Sequence, residues 1–224
     1  MKQNRLFVLG VAIDIMTTVV LAGCSKQGGS SGGSSSGGGA ARSSGRETPA
    51  SDFAYDATAD GAGVVITKYT GNGGKVVVPA KIEGLPVVEI RDYVFADKYS
   101  LQGGYGSENG DAITELVIPN SVVTIGDWIC HGASSLTKVT LPDGLKIIPF
   151  HAFLKCSNLI TINLPSSLEE IVKFAFDGCG ELANLTIPDS LSEVEIGEWA
   201  FVGCGKLPLA VRAKLKELGY TGRF

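Results

Sequence analysis

Residues 136–158 read LTKVTLPDGLKIIPFHAFLKCSN, and residues 159–181, which follow without a break, read LITINLPSSLEEIVKFAFDGCGE. Set one above the other, the lines agree column by column. Leu136 falls over Leu159, Val139 over Ile162, Leu141 over Leu164, Ile148 over Ile171, Phe153 over Phe176 and Cys156 over Cys179. The register extends upstream through ITELVIPNSVVTIGDWICHGASS (113–135) and downstream through LANLTIPDSLSEVEIGEWAFVGCGK (182–206), so that Pro119, Pro142, Pro165 and Pro188 are 23 residues apart. Like apolar residues at one fixed period are what stacked coils require, because a single coil cannot bury its apolar side and must share it with its neighbours.

Inside each unit the run before proline alternates with period 2, as in Val-Thr-Leu (139–141), and predicts a short strand. Proline, with no N–H for a sheet, ends it where the loss costs least. A second extended segment is expected near Ile125 and its equivalents, Ile148, Ile171 and Ile196. An earlier unit is recoverable in GGKVVVPAKIEGLPVVEIRDYVFADKYS (73–100), with Pro79 in the proline column, Phe95 in the aromatic column and an insertion around Glu83, Gly84, Leu85 and Pro86. Residues 102–112, Gly-rich and polar, read as a surface loop. After residue 206 the apolar spacing from Leu207 to Tyr220 becomes helical, which predicts a helix closing the open end of the core.

The pattern LxxLxLPxxLxxIxxxAFxxCxx resembles the BspA-like leucine-rich repeats, and the resemblance covers roughly residues 64–206. It implies a right-handed β-rich solenoid with short strands stacked in a parallel sheet. It also implies a surface-exposed protein, with adhesion or host-protein binding as the associated role. The unit at 113–135 departs from the pattern, since Ile129-Cys130 replaces Ala-Phe and Ala133 stands where cysteine is expected.

The N-terminus has the form of an export signal. Lys2 and Arg5 precede a mostly apolar stretch, and Leu21-Ala22-Gly23-Cys24 resembles the lipobox of bacterial lipoproteins. That resemblance implies cleavage before Cys24 and acylation of its thiol, and two to three acyl chains make a stable membrane anchor. Asp14 inside the apolar stretch argues against a retained span, because an Asp near a membrane-helix centre costs about 2.5–3.5 kcal/mol. The expected organisation is a signal peptide at 1–23, a Gly/Ser-rich tether at 24–50, a solenoid with an N-terminal cap at 51–206 and a C-terminal helical cap at 207–224. The expected location is the outer membrane or cell surface, with the periplasmic face as the alternative.

Composition excludes several classes. Nucleic-acid binding needs clustered cations, whereas 19 Lys and Arg are scattered among 23 Asp and Glu. No phosphate-loop, dinucleotide, zinc-protease or serine-hydrolase motif is present, so no cofactor, metal or catalytic residue is expected and the chain reads as a non-enzyme. Cys156, Cys179 and Cys204 share one column and Cys130 lies in the aromatic column. Buried thiols and one bridge between neighbouring coils both fit an exported protein, although cysteines in one ladder point the same way. His131 and His151 match no zinc spacing and read as turn residues at the coil edge.

What remains is a binding surface. If the strands form one sheet, the residues between the buried positions form two solvent-facing columns. One is Lys75, Glu115, Lys138, Thr161 and Asn184, and the other is Val77, Val117, Thr140, Asn163 and Thr186. They suit an extended contact with a protein or glycan, and no aromatic residue stands in either. The loop at 102–112, with Tyr105, is a second candidate surface.

Overall fold

The alternation Lys-Val-Thr before Leu141 forms a strand in which Val139 is buried and both flanks face solvent. The same physics repeats along the chain. In the computed structural model, which describes residues 46–100 and 103–224, β1 (Phe53–Ala57) and β2 (Val64–Tyr69) form an antiparallel hairpin that opens the fold. The coils then run through β3 (Gly74–Val77), β4 (Lys81–Ile82), β5 (Leu85–Ile90), β6 (Ile113–Val117), β7 (Thr124–Ile125), β8 (Lys138–Thr140) and β9 (Ile147–Ile148). They continue through β10 (Thr161–Asn163), β11 (Glu170–Ile171), β12 (Asn184–Thr186) and β13 (Glu195–Ile196) to the helix α1 (Leu209–Glu217).

Two sides of each coil are strand. On the first, β3, β6, β8, β10 and β12 stack in parallel, in the register the repeat alignment predicts. On the second, β5 lies between β2 and β7, and β9, β11 and β13 stack in parallel with Ile148, Ile171 and Ile196 aligned. Each proline marks the corner between them. Ile118 and Leu164 donate the last N–H to the next coil, at 3.0 Å, and the following Pro119 and Pro165 accept a tight turn from Val122 and Leu168 instead.

The third side looks irregular but is bonded along the axis as well. The N–H groups of Phe95, Cys130, Phe153 and Phe176 donate to the carbonyls of Ile129, Ala152, Ala175 and Ala200 at 2.8–2.9 Å. Two residues further on, Asp97, Gly132, Lys155 and Gly178 do the same. The residues between them donate back within their own coil, as His131 does to Trp128 at 3.0 Å. This alternation goes with two left-handed residues per coil. One column holds Gly132, Lys155, Gly178 and Gly203 at φ of 70°, 59°, 75° and 75°. The other holds Tyr93, Trp128, His151, Phe174 and Trp199 at 62°, 59°, 56°, 59° and 63°.

The core fills the triangle. Phe153, Phe176 and Phe201 are fully buried and stack nearly parallel, with ring centroids 5.3 and 5.1 Å apart. Toward the N-terminus the aromatic packing resumes with Phe95, Tyr69 and Phe53, and Cys130 fills the Phe position between them. The departing unit packs as tightly as the others, with Ile129, Cys130 and Ala133 all at 1% exposure or less.

Two sequence-based boundaries move. The insertion expected as a loop is a hairpin, with β4 and β5 antiparallel across Glu83 and Gly84, whose positive φ values of 53° and 84° fit the two-residue primed turns that match strand twist. The terminal helix spans Leu209–Glu217 rather than 207–220, because Pro208 sets its start and Gly219, at φ 96°, lies just beyond its end. Tyr220 then turns back onto the core. Its ring meets Phe201 at 5.5 Å, and its hydroxyl accepts the Phe201 N–H at 3.2 Å and donates to the Arg223 carbonyl at 2.7 Å. At the other end Glu47 and Thr48 hydrogen-bond to Ala80 and Val77, covering the free edge of β3.

Candidate functional site

The strand face has the predicted composition. Lys75, Glu115, Lys138, Thr161 and Asn184 are consecutive partners across the sheet, as are Val77, Val117 and Thr140, and Asn163 pairs with Thr186. Lys138, Thr140, Asn163, Asn184 and Thr186 are exposed, and Val77, Glu115, Val117 and Thr161 half-buried. Part of this face is already satisfied from within. Lys75 pairs with Glu115 at 3.1 Å, and Asn184 donates to the Thr161 hydroxyl at 3.3 Å. Cys24, the predicted lipid attachment point, lies outside the described residues.

The thiol column shows no reactive environment. Cys130, Cys156, Cys179 and Cys204 are all free and buried. Three of them donate Sγ–H to a carbonyl of the preceding coil: Cys156 to Cys130, Cys179 to Phe153 and Cys204 to Phe176, at 3.0–3.2 Å. Burial pushes Cys130, Cys156 and Cys179 well above the ordinary thiol range and Cys204 up to about 12. A thiolate, the nucleophilic form, is strongly disfavoured at all four. Among the described residues no group of His, Cys, Asp and Glu is arranged to hold a metal ion.

The histidines depart from the coil-edge expectation. His131 is 3% exposed, and His151 is half-buried with Trp128 at 3.9 Å and Phe150 at 3.6 Å between ring centroids. Burial lowers both, His151 to about 4. The Nδ1 atom of His151 is buried without a hydrogen-bond partner.

These contacts belong to a feature that the strand columns do not contain. Tyr105 of the 102–112 loop stacks on Tyr93 at 5.4 Å, and Tyr93 on Trp128 at 6.1 Å. From Trp128 the series passes to His151, then to Phe174 at 5.0 Å, then to Trp199 at 5.1 Å, with Phe150 packed alongside. One ring per coil forms a ladder along the turn side. Tyr105 and Trp199, at its ends, are 61% and 48% exposed, and the rings between are half-buried. Each end opens into a cleft. Thr67, Lys68, Asp92 and Gly104 flank Tyr93 and Tyr105, and Glu198, Val202, Thr221, Gly222 and Arg223 flank Trp199. The signal lay in the same 23-residue register, two positions before the Phe column, at Tyr93, Trp128, His151, Phe174 and Trp199.

Stacked parallel strands, one leucine-type position per corner and an apolar interior shared between coils define a leucine-rich-repeat solenoid. Residues 106–220 match the BspA type leucine rich repeat region in six copies, and the chain belongs to that family. Repeat modules of this type are typical of protein-binding surface proteins and are generally non-enzymatic. No curated protein matches the chain. Among solved structures it is similar to a Treponema pallidum leucine rich repeat protein, 28% identical over 80% of this chain and 99% of that one, with a TM-score of 0.47. It is also similar to a leucine-rich repeat protein of Bacteroides ovatus, 24% identical over 70% of this chain and 44% of that one, with a TM-score of 0.52. A leucine rich cell surface protein of Faecalibacterium prausnitzii is 24% identical over 74% of this chain and 54% of that one, at 0.48. The chain thus spans about half the length of these last two and nearly all of the first.

Proposed function

We propose that this chain is an exported, lipid-anchored interaction module, held at the outer membrane or cell surface by acyl chains on Cys24 and binding a protein or glycan through the outside of its solenoid. The observation that carries this reading is the register of the first sheet. It sets solvent-facing side chains of successive coils, from Lys75 and Val77 to Asn184 and Thr186, into strips that run along the axis. A long, rigid, exposed strip suits adhesion-type contact with an extended macromolecule, and the lipobox-like tetrapeptide followed by a Gly/Ser tether suits display away from a membrane. Scattered charge with a net value of -4 gives no support to a nucleic-acid partner.

The test is protease treatment of intact cells, followed by a blot for the folded part, with a periplasmic protein as control. Loss of the signal is expected. Full protection would replace this reading with an envelope role on the periplasmic side and no external ligand.

A further inference from the structure

We propose that the aromatic ladder, with the clefts at its two ends, is a binding site for a neutral, linear polysaccharide. This rests on the reading of the chain as an interaction module and names the surface and ligand class for it.

The first argument is conformational. The left-handed region costs a non-glycine residue about 1–2 kcal/mol, and the neighbouring left-handed column meets this demand with glycine at Gly132, Gly178 and Gly203. The ladder column never uses glycine. All five positions from Tyr93 to Trp199 carry a ring, at φ of 56–63°. Backbone strain retained in one column and relieved in the next marks the ring as what that column keeps, and such strain clusters at ligand sites.

The second argument is chemical. Aromatic faces are electron-rich and take the polarised C–H face of a pyranose, while its hydroxyls need donors and acceptors beside the ring. Both clefts supply them next to the exposed end rings: Glu198, Thr221 and Arg223 beside Trp199, and Thr67, Lys68 and Asp92 beside Tyr105 and the half-buried Tyr93. Each cleft carries one acid and one base. That balance suits an uncharged polyhydroxyl ligand and disfavours phosphate or sulfate esters, which call for surplus cations.

The third argument is extent. The open rings are Tyr105 and Trp199 at the two ends, and the half-buried rings between them pack on one another in a line. A protein hot spot is instead a compact central cluster ringed by neutral contacts, whereas this line of rings extends from coil to coil.

Both tryptophans of the chain, Trp128 and Trp199, lie in the ladder, so intrinsic fluorescence reports on it directly. The full chain is titrated with cellohexaose, xylohexaose and mannohexaose, with hyaluronan and a proline-rich peptide as comparisons, by fluorescence and calorimetry. The expected result is a saturable response to a neutral hexasaccharide with a Kd of about 1 mM or tighter, weakened at least ~10-fold in Trp199→Ala with an unchanged melting temperature. Glu198→Gln reads the same cleft if Trp199→Ala does not fold. No response to any neutral oligosaccharide, a response unaltered in both variants, or binding of the peptide alone would overturn the proposal. Any of these negatives combined with protease-sensitive display on cells leaves the interaction-module reading standing and moves the contact to the strand face. Full protease protection removes that reading independently of the titration.

Discussion

Lys155 is the most direct place to test the backbone argument. In its column Gly132, Gly178 and Gly203 occupy the left-handed region, and Lys155 alone does so with a side chain, at φ 59°. The cost of that conformation for a non-glycine residue is about 1–2 kcal/mol, and glycine gives back about 0.4–1 kcal/mol through its greater freedom in the unfolded chain. The Lys155 N–H donates to the Asp177 carbonyl at 2.8 Å, a bond that glycine keeps, and the side chain is exposed. Lys155→Gly is therefore expected to stabilise the protein by about 0.5–1 kcal/mol, which for a folded unit of this size raises the melting temperature by about 1–4 °C. Gly178→Ala is the mirror experiment. Its added Cβ would lie 3.5 Å from the nearest atom, the Cα of Lys155, so there is room for it and the expected loss of about 1 kcal/mol is conformational. Calorimetric melting of both variants beside the parent decides the matter. A lower melting temperature for Lys155→Gly, or no change for Gly178→Ala, would refute the claim that this column is set by backbone handedness.

Phe176→Ala removes the middle ring of the buried Phe153, Phe176 and Phe201 stack and is expected to cost about 3–5 kcal/mol, read from urea denaturation; a loss under about 1 kcal/mol would contradict the close packing of this ring in the core. Cys130, Cys156, Cys179 and Cys204 should be silent to a thiol-reactive dye at mildly alkaline pH and react fully in denaturant, and fast labelling of any of them in the native protein would contradict their burial. The pH dependence follows from the two histidines, both lowered by burial, and chiefly from His151, whose value falls from 6.5 unfolded to about 4 folded. The unfolded chain therefore binds the proton first, and stability is full above pH 6.5, declines as pH falls toward 4 and levels off below it. Solvent contact on this partly exposed ring limits the decline to roughly 1–2 kcal/mol, with the raised Asp127 and Asp177 carboxyls acting in the opposite direction. In His151→Gln the slope between pH 6.5 and 4 should flatten, and an unchanged slope would assign the effect to other groups.

Much of the architecture was readable from column matching alone, because stacking forces equivalent residues of successive coils into contact. The register of Glu115, Lys138, Thr161 and Asn184 is the clearest case, since period and alternation together leave only one alignment. The hairpin at Glu83 and Gly84 was less visible. Glu is not a usual left-handed residue, so Glu83 and Gly84 do not announce a primed turn in the sequence. The ladder escaped for a different one. Its residues, Tyr93, Trp128, His151, Phe174 and Trp199, share a position but not an identity, and they sit in a turn where neither the helical nor the strand period marks a common face. His131 illustrates the same limit: a polar residue in a turn gives no sign in sequence that its coil neighbours cover it.

The last coil of the buried Phe column differs from its interior in one respect, and it bears on how such a protein changes length. Inside the array Phe153 and Phe176 each give their N–H to a carbonyl of the following coil, and at the last coil the Tyr220 hydroxyl receives the Phe201 N–H in its place. To the coil beneath it, the cap offers a hydroxyl acceptor where another coil would offer a carbonyl, and an edge-on ring where another coil would offer a stacked one. Units of 23 residues can then be inserted or deleted ahead of residue 207 without redesigning either terminus. Solenoid length becomes a quantity adjustable in whole steps, and each added step would carry its own ring at the Trp199 position.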